Sequence, residues 1–169
     1  MSKPGYEYLF TYQNSVEIYD LTIQFCEKFL PGRENLRTRE QMVQAARSSK
    51  QCIAEGYLQK SLKGYIKLLG VTRGSFEELL KDYEDFVRTN SLEVLSKWDK
   101  GVKRDKWGKF LLPVNPINPL DPFIPVNHLI NLIRRTNYLL DRQIKSLEDK
   151  FIREGGYTEN LFKKRLKVR

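Results

Sequence analysis

Histidine is almost missing from this chain, and cysteine nearly so. One histidine, His128, stands among 169 residues. A zinc site takes three or four Cys, His or carboxylate ligands at defined spacing. A di-iron site in a helical bundle takes two Glu-x-x-His pairs. One imidazole supplies neither, and any Ser–His–Asp arrangement would have to use it. No glycine-rich phosphate loop is present. Helical ribonucleases that rely on Arg followed a few residues later by His find no match, because the Arg134-Arg135 pair comes after the histidine. The two cysteines, Cys26 and Cys52, form no paired motif. That argues against a disulfide framework or structural zinc and fits a reducing compartment. Long apolar runs are missing too: nothing approaches the roughly 20 residues that cross a bilayer. MSKPGYEYLF at the N-terminus has no apolar core and no small-residue cleavage site. The expectation is a soluble, cytoplasmic, non-enzymatic protein without cofactor, metal or membrane contact. An enzyme survives only as a nuclease with carboxylates and a metal, and no spacing supports one.

What is present is apolar, aromatic and positively charged. Apolar residues make up 40%, with nine Tyr and nine Phe, enough for one domain with a sizeable core. The net charge is +9. Lys97–Lys109 (KWDKGVKRDKWGK) contributes six basic and two acidic residues, and Asn160–Arg169 (NLFKKRLKVR) five basic and none acidic. Elsewhere 19 basic residues face 19 acidic ones. A balanced body with two basic patches points to a polyanion partner. It reads equally as a solvated linker and a floppy tail.

Four segments carry helical periodicity. The first has its seam at Tyr12, Val16, Tyr19, Ile23, Cys26 and Leu30, and Pro31-Gly32 ends it. In the second, Thr38 and Gln41 make a capping box, and Met42, Ala45, Ala46, Ser49, Cys52, Ile53 and Gly56 point inward. Ser61 caps the third, whose seam is Ile66, Leu69, Arg73, Phe76, Leu80, Tyr83 and Val87. Gly70 and Gly74 share a face of that helix, each costing up to about 1 kcal/mol against Ala. The small face of helix two, AARSSKQCIAEG, is therefore expected against those glycines or against an adjoining subunit. A short helical turn near Ser91–Lys97 leads into an irregular insertion, about 98–125. There Pro113, Pro116, Pro119, Pro122 and Pro125 fall every third residue. Such density favours extended structure: a polyproline ligand, or a stiff crossover seated by Ile117, Leu120, Phe123 and Ile124. Helix four has the clearest seam: Val126, Ile130, Ile133, Asn137, Leu140, Ile144, Leu147 and Phe151. Asn127 caps it or lies just inside, and Gly155-Gly156 ends it. The last residues form a short basic amphipathic piece with Leu161, Phe162 and Leu166. The fold expected is all-α: an antiparallel four-helix bundle over 1–155, with a proline-rich crossover before the fourth helix, and a basic C-terminal extension over 156–169.

Polar residues on or beside the seams are Arg73, Asn137, and the pair Arg47 and Glu55 flanking helix two. Buried charge needs a partner, so an internal network through Arg73 is expected, with an interface or channel as the alternative. Glu77, Glu78, Asp82, Glu84 and Asp85 form an acidic cluster on helix three: a solvated face, or a dock for a neighbour's basic patch. Trp98 and Trp107 bracket Lys100, Lys103, Arg104 and Lys106. Trp beside cations suits base stacking with phosphate neutralisation, and it also suits anchoring of the loop.

QMVQAARSSKQCIAEGY resembles the 23S ribosomal RNA intervening-sequence protein family through Ala45, Ala46, Ser49 and Ile53-Ala54-Glu55-Gly56. SFEELLKDYEDFVR and EGGYTENLFKKR are similar to its subgroup with a four-helix-bundle suffix domain. One departure is Cys52, where the family usually has Asn. The resemblance implies a ring-shaped homopentamer. It extends to the accessory variability determinant of diversity-generating retroelements, a basic protein that binds a reverse transcriptase and its RNA. Two expectations result. In one, an oligomeric accessory protein binds nucleic acid, RNA before DNA. Its phosphate contacts are Lys97, Lys100, Lys103, Arg104, Lys106 and Lys109, with Lys163, Lys164, Arg165, Lys167 and Arg169. In the other, the same basic segments dock on acidic protein surfaces in a scaffold module.

Overall fold

The computed structural model describes residues 3–94 and 122–167. Among these there are five α-helices and a 3₁₀ turn, and no strand. The helices are α1 (Phe10–Phe29), α2 (Leu36–Tyr57), α3 (Leu62–Thr89), α4 (Phe123–Glu154) and α5 (Tyr157–Lys167), with the turn at Gly5–Tyr8. Each of the first four packs on two neighbours, α1 and α3 both lying against α2 and α4. Between them sit Ile18, Phe25, Met42, Ile53, Leu69, Phe76, Tyr83, Ile130, Ile133 and Leu140.

Specific pairs mark how neighbours run. Lys50 Nζ lies 3.9 Å over the Tyr19 ring, and Cys26 Sγ is 4.0 Å from Met42 Sδ. Thr72 Oγ1 donates to the Ser49 carbonyl at 3.3 Å, while Gly56 sits against Tyr65. Arg134 reaches Glu84 at 2.8 Å, and Arg73 reaches Asp141 at 3.2 Å. Asn14 Nδ2 donates to Thr136 Oγ1 at 3.1 Å, and Thr11 Oγ1 to Gln143 Oε1 at 2.9 Å. In each pair of helices, residue numbers rise on one as they fall on the other.

Ser61 caps α3 as expected, its hydroxyl accepting from the Gly64 N–H at 3.4 Å. Pro31-Gly32 follows the end of α1, and Gly155 ends α4 at φ +77°, a left-handed conformation that suits glycine. Other expectations are corrected. The Thr38–Gln41 capping box does not form, because α2 already starts at Leu36 with Asn35 before it. Of the two places expected for Asn127 the second holds: it lies inside α4, which begins at Phe123, and its side chain donates to the Phe123 and Glu93 carbonyls. The insertion therefore ends before Phe123. Pro125 falls in the first helical turn, where a missing N–H costs nothing.

Helix α1 is rotated from its expected seam. Thr11, Asn14, Ser15, Ile18, Thr22, Phe25 and Cys26 are buried, while Tyr12, Val16, Tyr19 and Ile23 are half-buried. The polar members are satisfied. Thr22 donates to the Ile18 carbonyl at 2.7 Å and accepts from Tyr83 Oη at 2.9 Å. Ser15 donates to the Tyr12 carbonyl at 2.6 Å. A buried hydroxyl with a partner is tolerated in a core; one without is not.

Candidate nucleic-acid interface

The small face of α2 is buried as expected: Ala45, Ala46, Ser49, Ile53 and Gly56 all face the core. Its neighbour is not the glycine face of α3. A Cβ at Gly56 would lie 2.8 Å from the Tyr65 ring and 3.3 Å from Leu68 Cβ, whereas Cβ atoms at Gly70 and Gly74 would meet nothing within 4 Å among the described residues. Gly70 and Gly74 are exposed. The small residues of α2 instead admit Tyr65, Leu68 and Thr72. Glu55 does not share in this packing; it is exposed, as is Arg47. Cys52 is half-buried, and burial pushes its thiol above the ordinary range.

Arg73 is the centre of an inter-helix network, as expected. It bonds Glu77 at 2.8 Å and Asp141 at 3.2 Å while its side chain stays about one-third exposed. The acidic cluster around it divides in two. Glu77 belongs to Arg73, Asp85 to Arg88 at 2.8 Å, and Glu84 to both Lys81 at 2.7 Å and Arg134 at 2.8 Å. The Lys81 hydrogen bond, aided by Arg134, holds the Glu84 carboxyl below its usual range. Glu78 and Asp82 have no ion pair among the described residues. Partial burial, then repulsion from Glu78 and Asp85, pushes the Asp82 carboxyl up.

His128 Nε2 lies 3.5 Å from Glu17 Oε1, and Nδ1 has no hydrogen-bond partner among the described residues. No group of three His, Cys, Asp or Glu able to hold a metal occurs among them. Asn137 is buried in the α4 seam with Oδ1 unbonded.

The expected phosphate contacts Lys97, Lys100, Lys103, Arg104, Lys106, Lys109 and Arg169 lie outside the described residues, with Trp98 and Trp107. Lys163, Lys164, Arg165 and Lys167 lie on α5, and all four are exposed. The Glu159 carboxylate accepts from the Gly156 N–H at 3.0 Å, closing one half of a capping box at the start of α5. No residue of α5 is buried. Winding at 3.6 residues per turn puts Tyr157, Leu161, Phe162 and Leu166 on one side, with Arg165 among them. Lys163, Lys164 and Lys167 take the other side. None of the four cations has an ion pair among the described residues.

Sequence reasoning missed two features. The last turns of α4 run past the bundle, since burial stops at Leu140 and Ile152 is 79% exposed. The outer face of α3 is also open, with Val71 exposed beside Gly74. No helix among the described residues is long and apolar enough to cross a membrane. No protein-family model matches the chain, and no curated protein matches it either.

Proposed function

We propose that this chain is an antiparallel four-helix bundle, with a proline-rich crossover before its fourth helix, that assembles with copies of itself and binds RNA without catalysing a reaction. The opposed numbering of the contact pairs supports the antiparallel arrangement. The observation that carries the RNA reading is α5: four cations on an exposed helix, none paired with a carboxylate among the described residues. Segment 97–109 adds six further cations by sequence. Backbone neutralisation by such residues drives binding through counterion release. The resemblance to the intervening-sequence protein family, and to the accessory variability determinant, gives this role a context. The protein would hold RNA for a partner enzyme, a reverse transcriptase in the retroelement case, in the cytoplasm.

A protein-docking role for the basic segments has its own support in Glu78 and Asp82, the two α3 carboxylates with no ion pair among the described residues.

The test is a filter-binding titration of the full chain against a structured RNA at two salt concentrations. Each phosphate contact loses roughly threefold in affinity between about 50 and 200 mM salt, and the losses multiply. Absent or salt-insensitive binding ends the RNA reading.

A further inference from the structure

We propose that α5 of one copy of this chain docks by its apolar side on the outer α2–α3 face of a second copy, over Val71 and Gly74, with Arg165 against Glu78 and Asp82. This deepens the assembly proposed above by naming the two surfaces.

The receiving face is an unusual piece of helix. Val71, Gly74, Glu78 and Asp82 follow one another at steps of three and four on α3, so they form one stripe. Val71 is 44% exposed. Gly74 sits mid-helix, where glycine is disfavoured, and no atom among the described residues comes within 4 Å of where its Cβ would stand. Beside it a groove runs between α2 and α3, lined by Arg37, Glu40, Gln44, Ser48, Ser75 and Glu78; Arg37 shares the groove but makes no ion pair with Glu78 among the described residues. The stripe thus offers close approach at one end and two unpaired carboxylates at the other.

The arriving face has the opposite character. Leu161, Phe162 and Leu166 are each more than half exposed, and Tyr157 is 47% exposed. Contiguous exposed apolar residues of this kind mark contact surfaces. Arg165 stands among them, a planar cation suited to carboxylates.

The arm cannot reach the Gly74–Asp82 part of its own stripe. At 1.5 Å per residue α5 is about 16 Å long, while α4 runs about 20 Å from Glu154 back to Asp141. Asp141 is level with Arg73, which it bonds at 3.2 Å. Doubled back through Gly155-Gly156, α5 stops short of Gly74, Glu78 and Asp82. A second copy has no such limit, and each chain carries both halves of the complementary pair. Such a head-to-tail contact closes into a ring or runs on as a filament. It turns Lys163, Lys164 and Lys167 outward, so each docked α5 presents lysines to a polyanion.

The experiment is light scattering on the full chain after size exclusion, across concentration. The wild type is expected above single-chain mass. Arg165→Glu alone, and the double variant Glu78→Lys with Asp82→Lys alone, are each expected to fall toward one chain. Mixed in equal amounts they should associate again, because each arm then meets a receiver of opposite sign. Gly74→Leu adds a side chain into open space in the monomer. It should keep or raise the thermal midpoint while lowering the mass. A wild type that is monomeric throughout, variants that leave the mass unchanged, or a mixture that stays dissociated would each overturn the proposal. The triple variant of Lys163, Lys164 and Lys167 to Gln separates this from RNA binding. It is expected to keep the assembled mass and lose at least tenfold in RNA affinity. Loss of its mass would overturn the assignment of faces. A wild type that assembles but binds no RNA defeats only the RNA reading. One that binds RNA but ignores the charge swap defeats only this one.

Discussion

A single missing carbon at Gly56 sets how closely α2 and α3 approach. The Cβ that alanine would bring lies 2.8 Å from the Tyr65 ring. That ring cannot swing away cheaply: Tyr65 is buried, and its hydroxyl accepts from Gln143 Nε2 at 2.7 Å. Gln143 Oε1 in turn accepts from Thr11, so the ring is tied through α4 to α1. Gly56→Ala is therefore expected to destabilise the fold by about 1–3 kcal/mol through overpacking, a cost that alanine's better helix propensity offsets by no more than about 1 kcal/mol. Chemical denaturation checks it, and a neutral or stabilising result would mean that Tyr65 relaxes. The role of Gly56 was legible, because it continues the small inward spacing of Ala45, Ser49 and Ile53. That of Gly70 and Gly74 was not. Two glycines four apart define a stripe, but the stripe's direction is set by the competing seam Leu69–Phe76–Tyr83, which takes the core. The α1 seam misled for a related reason. Thr11, Asn14, Ser15 and Thr22 look like a solvent face until their partners on α1, α3 and α4 are known.

Helix α4 shows how far a periodic pattern can outrun the structure it builds. Its apolar spacing holds from Val126 to Phe151, yet full burial stops at Leu140. The reason is the length of the neighbours. Thr11 near the start of α1 and Tyr65 near the start of α3 both meet Gln143, so beyond that level neither α1 nor α3 continues beside α4 to cover it. Ile144 and Leu147 still lean on the core edge, and Ile152 does not. Truncations along one helix should then separate sharply. Leu140→Ala is expected to cost about 2–5 kcal/mol, the usual penalty for emptying a packed site. Ile152→Ala should stay within about 0.5 kcal/mol in dilute solution. Equal losses at both positions would mean that the overhang is covered within one chain. Four helices and most inward residues of α2, α3 and α4 could be read from spacing alone. The start of α4 could not, since Pro122 and Pro125 signal a break whereas Pro125 is accommodated in a first turn that needs no donor there.

At the scale of the molecule, charge is sorted by position. Outside 97–109 and 160–169 the chain is balanced at 19 basic and 19 acidic residues. Two arginine–carboxylate ion pairs among the described residues tie helix to helix, Arg73 with Asp141 and Arg134 with Glu84. A body whose basic and acidic residues balance attracts a phosphate backbone weakly, so salt dependence should report mainly the two basic segments. On α5 the outward lysines Lys163, Lys164 and Lys167 are free for that role even when the apolar side is covered. Each phosphate contact contributes about 0.9 to the log–log salt slope on a duplex and about 0.7 on a single strand. Replacing the three lysines by glutamine should therefore make the slope shallower by about 2 to 3, with the remainder carried by 97–109. Binding measured at four salt concentrations for both proteins gives the difference directly. A slope that does not change would move the polyanion contact off α5, and with it the reason for a basic extension on a balanced body.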